Sequence, residues 1–163
     1  MAYDVLVIGG GLAGCSAALQ LARSGHDVLL AEQSTYPRQK LCGEFLSPEA
    51  QSSFARLGVL EDVRAAGAQT IDRAGLTAAS GASTTHALPE SALGLSRYRL
   101  DQLLFEHACM AGVEGRVGPR VTDIQGTLQE GFTAQVGTET VSARLVLGAY
   151  GRRGRLDRTL ERP

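Results

Sequence analysis

The opening of the chain alternates between short apolar runs and a stretch of helix-forming residues. Residues 5–8 and 27–31 are apolar and rich in branched side chains, which indicates strands buried on both faces of a parallel sheet. Residues 12–24 lie between them and predict a helix that ends before Gly25, where glycine suits the left-handed position after a helix. Strand, helix and strand in this order predict one right-handed βαβ unit.

Helical and strand patterns continue along the rest of the chain after an irregular stretch at residues 33–46. Ser47 and Pro48 form a helix start, with serine at the capping position and proline at the first helical position. Gly81 interrupts the strand-like residues 71–88 and predicts a hairpin there. The other predicted elements are helices at 48–57, 60–66 and 99–111, meander strands at 121–124, 132–136 and 140–142, and a third buried strand at 145–147.

Composition and charge favour a single soluble domain. The 163 residues are 44% hydrophobic and 20% charged with a net charge of -1, so no nucleic-acid partner is expected. No apolar run approaches the roughly 20 residues of a membrane helix, and the first residues lack the basic segment typical of a signal peptide. We therefore expect a cytoplasmic protein without an integral membrane segment. The cysteines form no C-x-x-C pair, and no metal site is expected.

A G-x-G-x-x-G motif lies between the first predicted strand and the first predicted helix. Gly9 permits a tight turn, Gly11 lets the backbone approach a pyrophosphate, and Gly14 lets the helix pack closely on the strand. The amides at the helix start, those of Leu12 and Ala13 included, are expected to hold phosphate with the help of the helix dipole. A glycine-rich structural turn is the alternative, but the flanking strand and helix favour a dinucleotide site.

An acidic residue stands where the second predicted strand ends. Glu32 follows Gly14 by 18 positions, and a carboxylate at this point can bind both ribose hydroxyls of an adenosine. We expect the neighbouring Gln33 to contact the nucleotide as well. The acid argues against a 2′-phosphate, so NADP is not expected in this pocket. The motif by itself fits either NAD or FAD.

Three further stretches carry more specific motifs. They are Tyr36-Pro37-Arg38 with Lys40-Leu41-Cys42-Gly43-Glu44, then Ser96-Arg97-Tyr98-Arg99-Leu100-Asp101, and then Val146-Leu147-Gly148-Ala149-Tyr150-Gly151-Arg152-Arg153. In these stretches the chain resembles the geranylgeranyl-reductase-like and aromatic-hydroxylase-like flavoproteins. Those proteins share the p-hydroxybenzoate hydroxylase fold and include the group A flavoprotein monooxygenases. The resemblance covers nearly the whole chain in the family's order.

The predicted elements and this resemblance together imply an α/β fold, namely a Rossmann-type FAD/NAD(P)-binding domain. Its parallel sheet is expected near residues 5–8, 28–31 and 145–148, with a β-meander near 121–142. Residues 1–68 and 92–163 are expected to form the FAD-binding domain, and 69–91 a partial substrate-domain insertion that starts an inserted sheet. The resemblance also implies a domain that is incomplete at its carboxyl end, because the relatives' later Gly-Asp-Ala motif is absent.

The resemblance implies roles for the loop after the second strand. Arg38 is expected to pair with a phosphate or stack on the adenine, with an exposed loop arginine as the alternative. Cys42, Gly43 and Glu44 match the stretch beside the isoalloxazine in similar proteins. Cys42 and Glu44 are therefore candidate catalytic residues, and Gly43 is expected to let the backbone approach the ring. A buried structural thiol is the alternative for Cys42, and a hydrogen-bond anchor is the alternative for Glu44.

The same resemblance extends to residues later in the chain. Arg97 matches the arginine that contacts the FAD pyrophosphate or ribityl chain in relatives, with a surface position at the helix start as the alternative. Val121 and Gly151 are also expected to contact the cofactor. Asp101 is expected only to favour the first turn of its helix electrostatically.

The resemblance implies an FAD-dependent oxidoreductase that receives electrons from NAD(P)H. Its reaction is expected to be either monooxygenation or reduction of a C=C bond, on an apolar small-molecule substrate. Two alternatives stay open: a non-catalytic truncated FAD-binding fragment, and a reductase that uses the Rossmann unit to bind NAD. No pattern in the sequence indicates an oligomeric state.

Overall fold

The computed structural model of the chain describes residues 2–42, 44–151 and 156. Its helices and strands follow the predicted order closely. In chain order they are β1 (Ala2–Ile8), α1 (Leu12–Arg23), β2 (Val28–Glu32), β3 (Phe45–Leu46), α2 (Pro48–Arg56), α3 (Leu60–Ala65), β4 (Gln69–Thr77), β5 (Ser83–Gly94), α4 (Arg97–Met110), β6 (Glu114–Val117), β7 (Val121–Thr127), β8 (Gly131–Val136) and β9 (Glu139–Gly148).

The larger sheet combines a parallel half with a meander, as predicted. Its strand order is β6-β2-β1-β9-β8-β7. β1 runs parallel to β2 and to β9, and β2 runs parallel to β6. β7, β8 and β9 pair antiparallel in sequence order. This arrangement brings the carboxyl ends of β1 and β2 to one edge, which is where nucleotides bind in open sheets of this kind.

The structure corrects the sequence-based expectation for the last strand. The strands predicted at 140–142 and 145–147 are one continuous strand, β9, because residues 142–148 keep pairing with β1 without a turn. The expected burial of this segment is also wrong. The residues Leu145 and Leu147 are 48% and 39% exposed, since the described part of the chain leaves that face of β9 open.

Two short strands gave no recognisable pattern in the sequence. β6 lies at the edge of the larger sheet and contains a glycine and two charged residues among its four positions. β3 has only two residues and falls in the stretch predicted to be irregular. Edge and two-residue strands bury too little of one face to produce an alternating pattern.

Helix α1 ends and packs as its sequence predicts. Gly25 has a φ of 86°, and its amide bonds the carbonyl of Ala22, while the amide of His26 bonds the carbonyl of Leu21. These two bonds are those of a Schellman motif, so the predicted glycine position is confirmed. The buried side of the helix consists of Gly14, Cys15, Ala18 and Leu19.

The chain divides into two compact units, Met1–Arg38 with Asp101–Pro163, and Gln39–Leu100. The second unit contains α2, α3 and a three-stranded antiparallel sheet in the order β3-β5-β4. Ser47 caps α2 by accepting a bond from the amide of Ala50, as expected. Gly81, with a φ of 87°, lies in the predicted hairpin between β4 and β5. The expected insertion boundaries at 69 and 91 stay a prediction.

Candidate functional site

The glycine loop begins where β1 ends. The amide of Gly9 donates to the carbonyl of Ala31 in β2, and the amide of Ala149 donates to the carbonyl of Ile8. Gly9 has a φ of 107°, and a Cβ added there would lie 2.5 Å from the carbonyl oxygen of Ala149. Only glycine fits this turn, because both the backbone conformation and the end of β9 exclude a side chain.

Helix α1 starts directly after this loop without a side-chain cap. Gly11 is its N-cap residue, and the first backbone bond of the helix runs from the amide of Cys15 to the carbonyl of Gly11. The amides of Leu12 and Ala13 therefore have no acceptor within the helix. A Cβ on Gly14 would overlap the carbonyl oxygen of Gly9, so this glycine lets α1 approach the loop closely. Such a helix start favours an anion through its amides and its dipole.

The carboxylate of Glu32 faces this loop from the end of β2. The side chain is 5% exposed. Oε2 accepts a hydrogen bond of 2.7 Å from the amide of Gly10, and Oε1 accepts one of 2.8 Å from the amide of Ser34. The buried acid therefore ties the glycine loop to the end of the second strand.

Arg38 provides the positive charge next to Glu32. Its Nη1 lies 2.5 Å from Oε1 of Glu32, and its Nη2 donates to the carbonyl of Gly10 at 3.0 Å. The side chain is 12% exposed, so the pair is shielded from water. Nε of Arg38 is buried and has no hydrogen-bond partner in the described structure. A buried donor without an acceptor costs about 1–3 kcal/mol, which makes it a natural point of attachment for a ligand oxygen.

Aromatic and acidic side chains hold this arginine from the other side. The Tyr36 hydroxyl donates to the carbonyl of Gly10, and the Tyr36 ring stacks on Phe105 with centroids 4.7 Å apart. The guanidinium of Arg38 lies 5.1 Å from the centroid of the Tyr36 ring, within cation–π distance. Asp101 is fully buried, and its Oδ2 lies 3.8 Å from Nη2 of Arg38. Arg38 is thus placed between two buried carboxylates.

These contacts set the ionisation of the buried groups. Burial alone would raise the pKa of Glu32, but the bonds from Arg38 and from the amides of Ser34 and Gly10 outweigh it and lower that pKa. Glu32 is therefore ionised at neutral pH. Burial raises the pKa of the Cys15 thiol to about 12 and raises the pKa of the Tyr36 phenol as well. Cys15 and Tyr36 are therefore neutral at physiological pH.

Comparison with known proteins identifies the family. The sequence model described as an FAD binding domain matches residues 2–163. The chain belongs to this family. It is 30% identical over 169 residues to a menaquinone reductase from Mycolicibacterium smegmatis, an alignment that covers 98% of this chain and 40% of the reductase.

Two other relatives of this FAD-binding domain perform different reactions according to their names. The chain is 33% identical over 184 residues to aklavinone 12-hydroxylase from Streptomyces peucetius, covering 96% of this chain and 37% of the hydroxylase. It superposes on a myxobacterial chondrochloren halogenase with a TM-score of 0.81 at 28% identity, covering 94% of this chain and 38% of that chain. The chain therefore spans well under half the length of these relatives.

The family assignment confirms the coarser part of the sequence-based resemblance. The α/β fold, with its mixed sheet and second antiparallel sheet, is that of an FAD-binding domain, and its relatives include hydroxylases, halogenases and reductases. The geranylgeranyl-reductase-like subfamily is a finer assignment, and it stays a prediction.

The structure brings together only some of the residues predicted to bind the cofactor. Gly9, Gly11, Leu12, Ala13, Gly14, Glu32 and Arg38 surround the loop between β1 and α1. The exposed Gln33 follows Glu32 directly, and its Oε1 accepts a bond of 3.1 Å from Nε of Arg120. The side chain of Val121 is part of the hydrophobic core at the start of β7, so only its backbone is available to a ligand. Gly151 is exposed just beyond β9 and has a φ of 78°.

The other predicted residues belong to the second compact unit. Cys42 is exposed, and its Sγ accepts a bond of 3.3 Å from the amide of Glu44. Glu44 has a φ of 58°, a conformation that glycine adopts more easily. Gly43 lies outside the described residues. Arg97 is the first residue of α4 and is half-buried. The predicted roles of these residues stay predictions.

Sequence reasoning missed three residues of the site. A Cβ on Gly10 would overlap the Tyr36 hydroxyl, which the run of three consecutive glycines could have indicated. The sequence placed Tyr36 in a motif but indicated no role for its side chain. Asp101 was expected to act on its own helix, but it is buried beside Arg38. Its spacing to Leu104 and Ala108 places it on the apolar stripe of α4, where an acid needs a partner.

Neither a membrane-spanning helix nor a metal-binding cluster occurs among the described residues. No described helix is long and apolar enough to cross a membrane. No group of three or more histidine, cysteine, aspartate or glutamate residues in the described ranges is arranged to hold a metal ion.

Proposed function

We propose that this chain binds FAD through its adenosine diphosphate half and serves as the cofactor-binding part of an FAD-dependent oxidoreductase. The observation that carries the proposal is the buried, ionised Glu32, which faces the glycine loop beside a helix start without a side-chain cap. A carboxylate in this place suits a ribose, and free amides beside it suit a diphosphate.

The donors and acceptors present fit that cofactor. The amides of Leu12 and Ala13 would hold the pyrophosphate at the positive end of the α1 dipole. Glu32 would accept hydrogen bonds from the ribose hydroxyls. The buried Nε of Arg38, which has no partner among the described residues, would donate to a ligand oxygen.

Bound FAD would supply hydride and electron transfer between NAD(P)H and the substrate or dioxygen. The residues of this chain would bind and orient the cofactor. Arg97, Val121 and Gly151 are proposed as further contacts to FAD. Cys42 and Glu44 are proposed as the residues that touch the reacting groups, with Gly43 between them, by their resemblance to the corresponding stretch in similar flavoproteins.

The substrate is proposed to be an apolar small molecule. Relatives named for menaquinone and for aklavinone support a small-molecule substrate, and one is named as a reductase while the other is named as a hydroxylase. The geranylgeranyl-reductase-like motifs favour reduction of a C=C bond, and the group A relationship favours monooxygenation. Both reactions use the same cofactor site, and a cytoplasmic location suits both.

The cofactor proposal is tested by thermal unfolding of the 163-residue chain with FAD, NAD⁺ or FMN at equal concentration. FAD at about 100 times its dissociation constant adds about 2.7 kcal/mol of stability. That gain raises the unfolding midpoint by about 5–10 °C for a domain of this size. FMN lacks adenosine and is expected to give a smaller shift, as is NAD⁺, which lacks the flavin.

A variant pair localises the effect. Glu32→Gln is expected to abolish most of the shift with FAD, because it removes the charged acceptor for the ribose. Glu130→Gln changes an exposed glutamate in the turn before β8 and is expected to leave the shift unchanged. Absence of any shift with FAD would support a non-binding fragment, and a larger shift with NAD⁺ would support an NAD-binding reductase. Either result would refute the proposal.

A further inference from the structure

Among the described residues, two charged ones are buried, namely Asp101 and Glu32. Both carboxylates face the same arginine. Nη1 of Arg38 is bonded to Glu32 at 2.5 Å, whereas Nη2 lies 3.8 Å from Oδ2 of Asp101, which is too long for a hydrogen bond. Arg38 is therefore bonded to one carboxylate and held near a second.

A ribose can bind Glu32 only if its carboxylate has free hydrogen-bond acceptor positions, and most of these positions are already occupied. A carboxylate has about four acceptor positions. In the described structure Glu32 accepts from the amides of Gly10 and Ser34 and from Arg38, so about one position is left for a ribose with two neighbouring hydroxyls. The two amides are fixed in the loop and at the strand end. Arg38 is the side-chain donor, and it is the one that a ribose can displace.

Displacement from Glu32 would leave a buried guanidinium in need of another anion. Asp101 faces Nη2 of that group, which also donates to the carbonyl of Gly10, and a shift of about 1 Å would bring Nη2 to the ordinary length of a charged hydrogen bond with Asp101. Without Asp101 the displaced guanidinium of Arg38 would be shielded from water and would lack a nearby negative charge. The cost of leaving it so would oppose ribose binding.

We propose that Asp101 is a positioning residue of the nucleotide site, whose carboxylate receives the Arg38 guanidinium when a ribose binds Glu32. Helix α4 supports this role with two residues one turn apart. Phe105 stacks on Tyr36, and Asp101 faces Arg38, so one side of the helix holds both ends of the segment Tyr36 to Arg38. The inference rests on the proposed binding of an adenosine diphosphate at this site.

The test is a double-mutant cycle on nucleotide affinity with the 163-residue chain, measured by calorimetric titration. The variants are Asp101→Asn, Arg38→Met and the two combined, and the probes are ADP and 2′,3′-dideoxy-ADP. Asp101→Asn is expected to weaken ADP binding about tenfold, since a hydrogen bond to a charged group contributes about that much. The dideoxy probe has no hydroxyl to displace Arg38, so its affinity is expected to change less than about twofold.

The cycle separates positioning from a general packing role. With Arg38→Met present, Asp101→Asn is expected to change ADP affinity less than about twofold, because no guanidinium is left to receive. An equal loss for ADP and dideoxy-ADP, or an equal loss with and without Arg38, would overturn the proposal. Asp123→Asn changes an exposed aspartate of β7 as the matched control and is expected to leave ADP affinity unchanged.

The remaining outcomes also decide the question. If Asp101→Asn unfolds the chain, crystal structures of the wild-type chain with and without ADP decide the question. Nη2 of Arg38 is expected within hydrogen-bond distance of the Asp101 carboxylate only with ADP bound, and an Arg38 that stays on Glu32 in both structures would overturn the proposal. A wild-type chain that binds neither FAD nor ADP refutes the proposed function, and this inference falls with it. Wild-type binding with unchanged affinity in Asp101→Asn overturns the inference alone.

Discussion

Replacing Gly14 by alanine adds one methyl group where helix α1 meets the end of β1. The added Cβ would overlap the carbonyl oxygen of Gly9, and it would lie 3.0 Å from the carbonyl carbon of Gly9 and 3.2 Å from Cβ of Ala149. Unstrained carbon contacts are about 3.5–4.0 Å, and the overlap with the Gly9 oxygen is tighter than either carbon contact, so α1 has to move away from the loop by about 1 Å or more. The two nearest neighbours are backbone atoms of Gly9 and the third is a Cβ, so none of them can rotate aside as a longer side chain can.

The magnitude follows from two opposing effects. Overpacking of a well-packed interior costs about 1–3 kcal/mol, with larger values where backbone must shift. Alanine in a helix is favoured over glycine by about 1 kcal/mol, which offsets part of that loss. We expect a net destabilisation of about 1–2 kcal/mol, which lowers the unfolding midpoint by about 2–8 °C. The same movement displaces the amides of Leu12 and Ala13, so FAD affinity is expected to fall about tenfold or more.

The assay combines urea unfolding, followed by circular dichroism, with titration of FAD against each variant. Gly75→Ala is the matched control, because a Cβ there would lie 3.6 Å from its nearest neighbour, Oγ1 of Thr85. It makes the same chemical change without a clash and is expected to leave stability within about 1 kcal/mol and FAD affinity unchanged. Wild-type stability together with wild-type FAD affinity in Gly14→Ala would refute the role assigned to this glycine.

Three further predictions concern the core, the thiols and the buried acid. Leu104 is fully buried and Leu128 is 73% exposed, so urea unfolding is expected to show a loss of about 2–5 kcal/mol for Leu104→Ala and a change within about 0.5 kcal/mol for Leu128→Ala; equal losses would contradict the core assignment. In the native protein a thiol reagent is expected to label the exposed Cys42 and Cys109. Cys15 is expected to react only in urea, because it is buried and burial raises the pKa of its thiol to about 12. Prompt labelling of Cys15 in the native protein would show that α1 is not packed as described. Glu32 has a pKa below its ordinary 4.5, mainly through Arg38 and two amides against the opposing effect of burial, so it stabilises the fold above that value. The difference in unfolding free energy between wild type and Glu32→Gln is expected to be constant from about pH 7 to about pH 5 and to shrink at lower pH, and a difference independent of pH would contradict the ion pair.

The parts of the fold that were predictable from sequence are those with strong local signals. β1, α1 and β2 follow from two apolar runs around a glycine motif, and Gly25 marks the end of the helix. β6 was missed because a short edge strand with two charges carries no periodic signal. The exposure of Leu145 and Leu147 was missed because hydrophobicity predicts burial only where another element covers that face of the sheet.

The site was predictable as far as its backbone positions. The spacing of glycines identified the loop, and Glu32 followed from its place at the end of β2. The network around Arg38 depends on contacts between residues 32–38 and 101–105, far apart in sequence, which no local pattern encodes. Asp101 illustrates the limit: its position on an apolar stripe indicates that it needs a partner, but only the fold identifies that partner as Arg38.

A crystal structure of the 163-residue chain grown with ADP would test nucleotide binding at the glycine loop directly. We predict the diphosphate within hydrogen-bond distance of the amides of Leu12 and Ala13, and the ribose hydroxyls on the carboxylate of Glu32. Density for ADP elsewhere on the chain, or a Glu32 carboxylate that keeps Arg38 and makes no contact with the ribose of ADP bound at the loop, would contradict it.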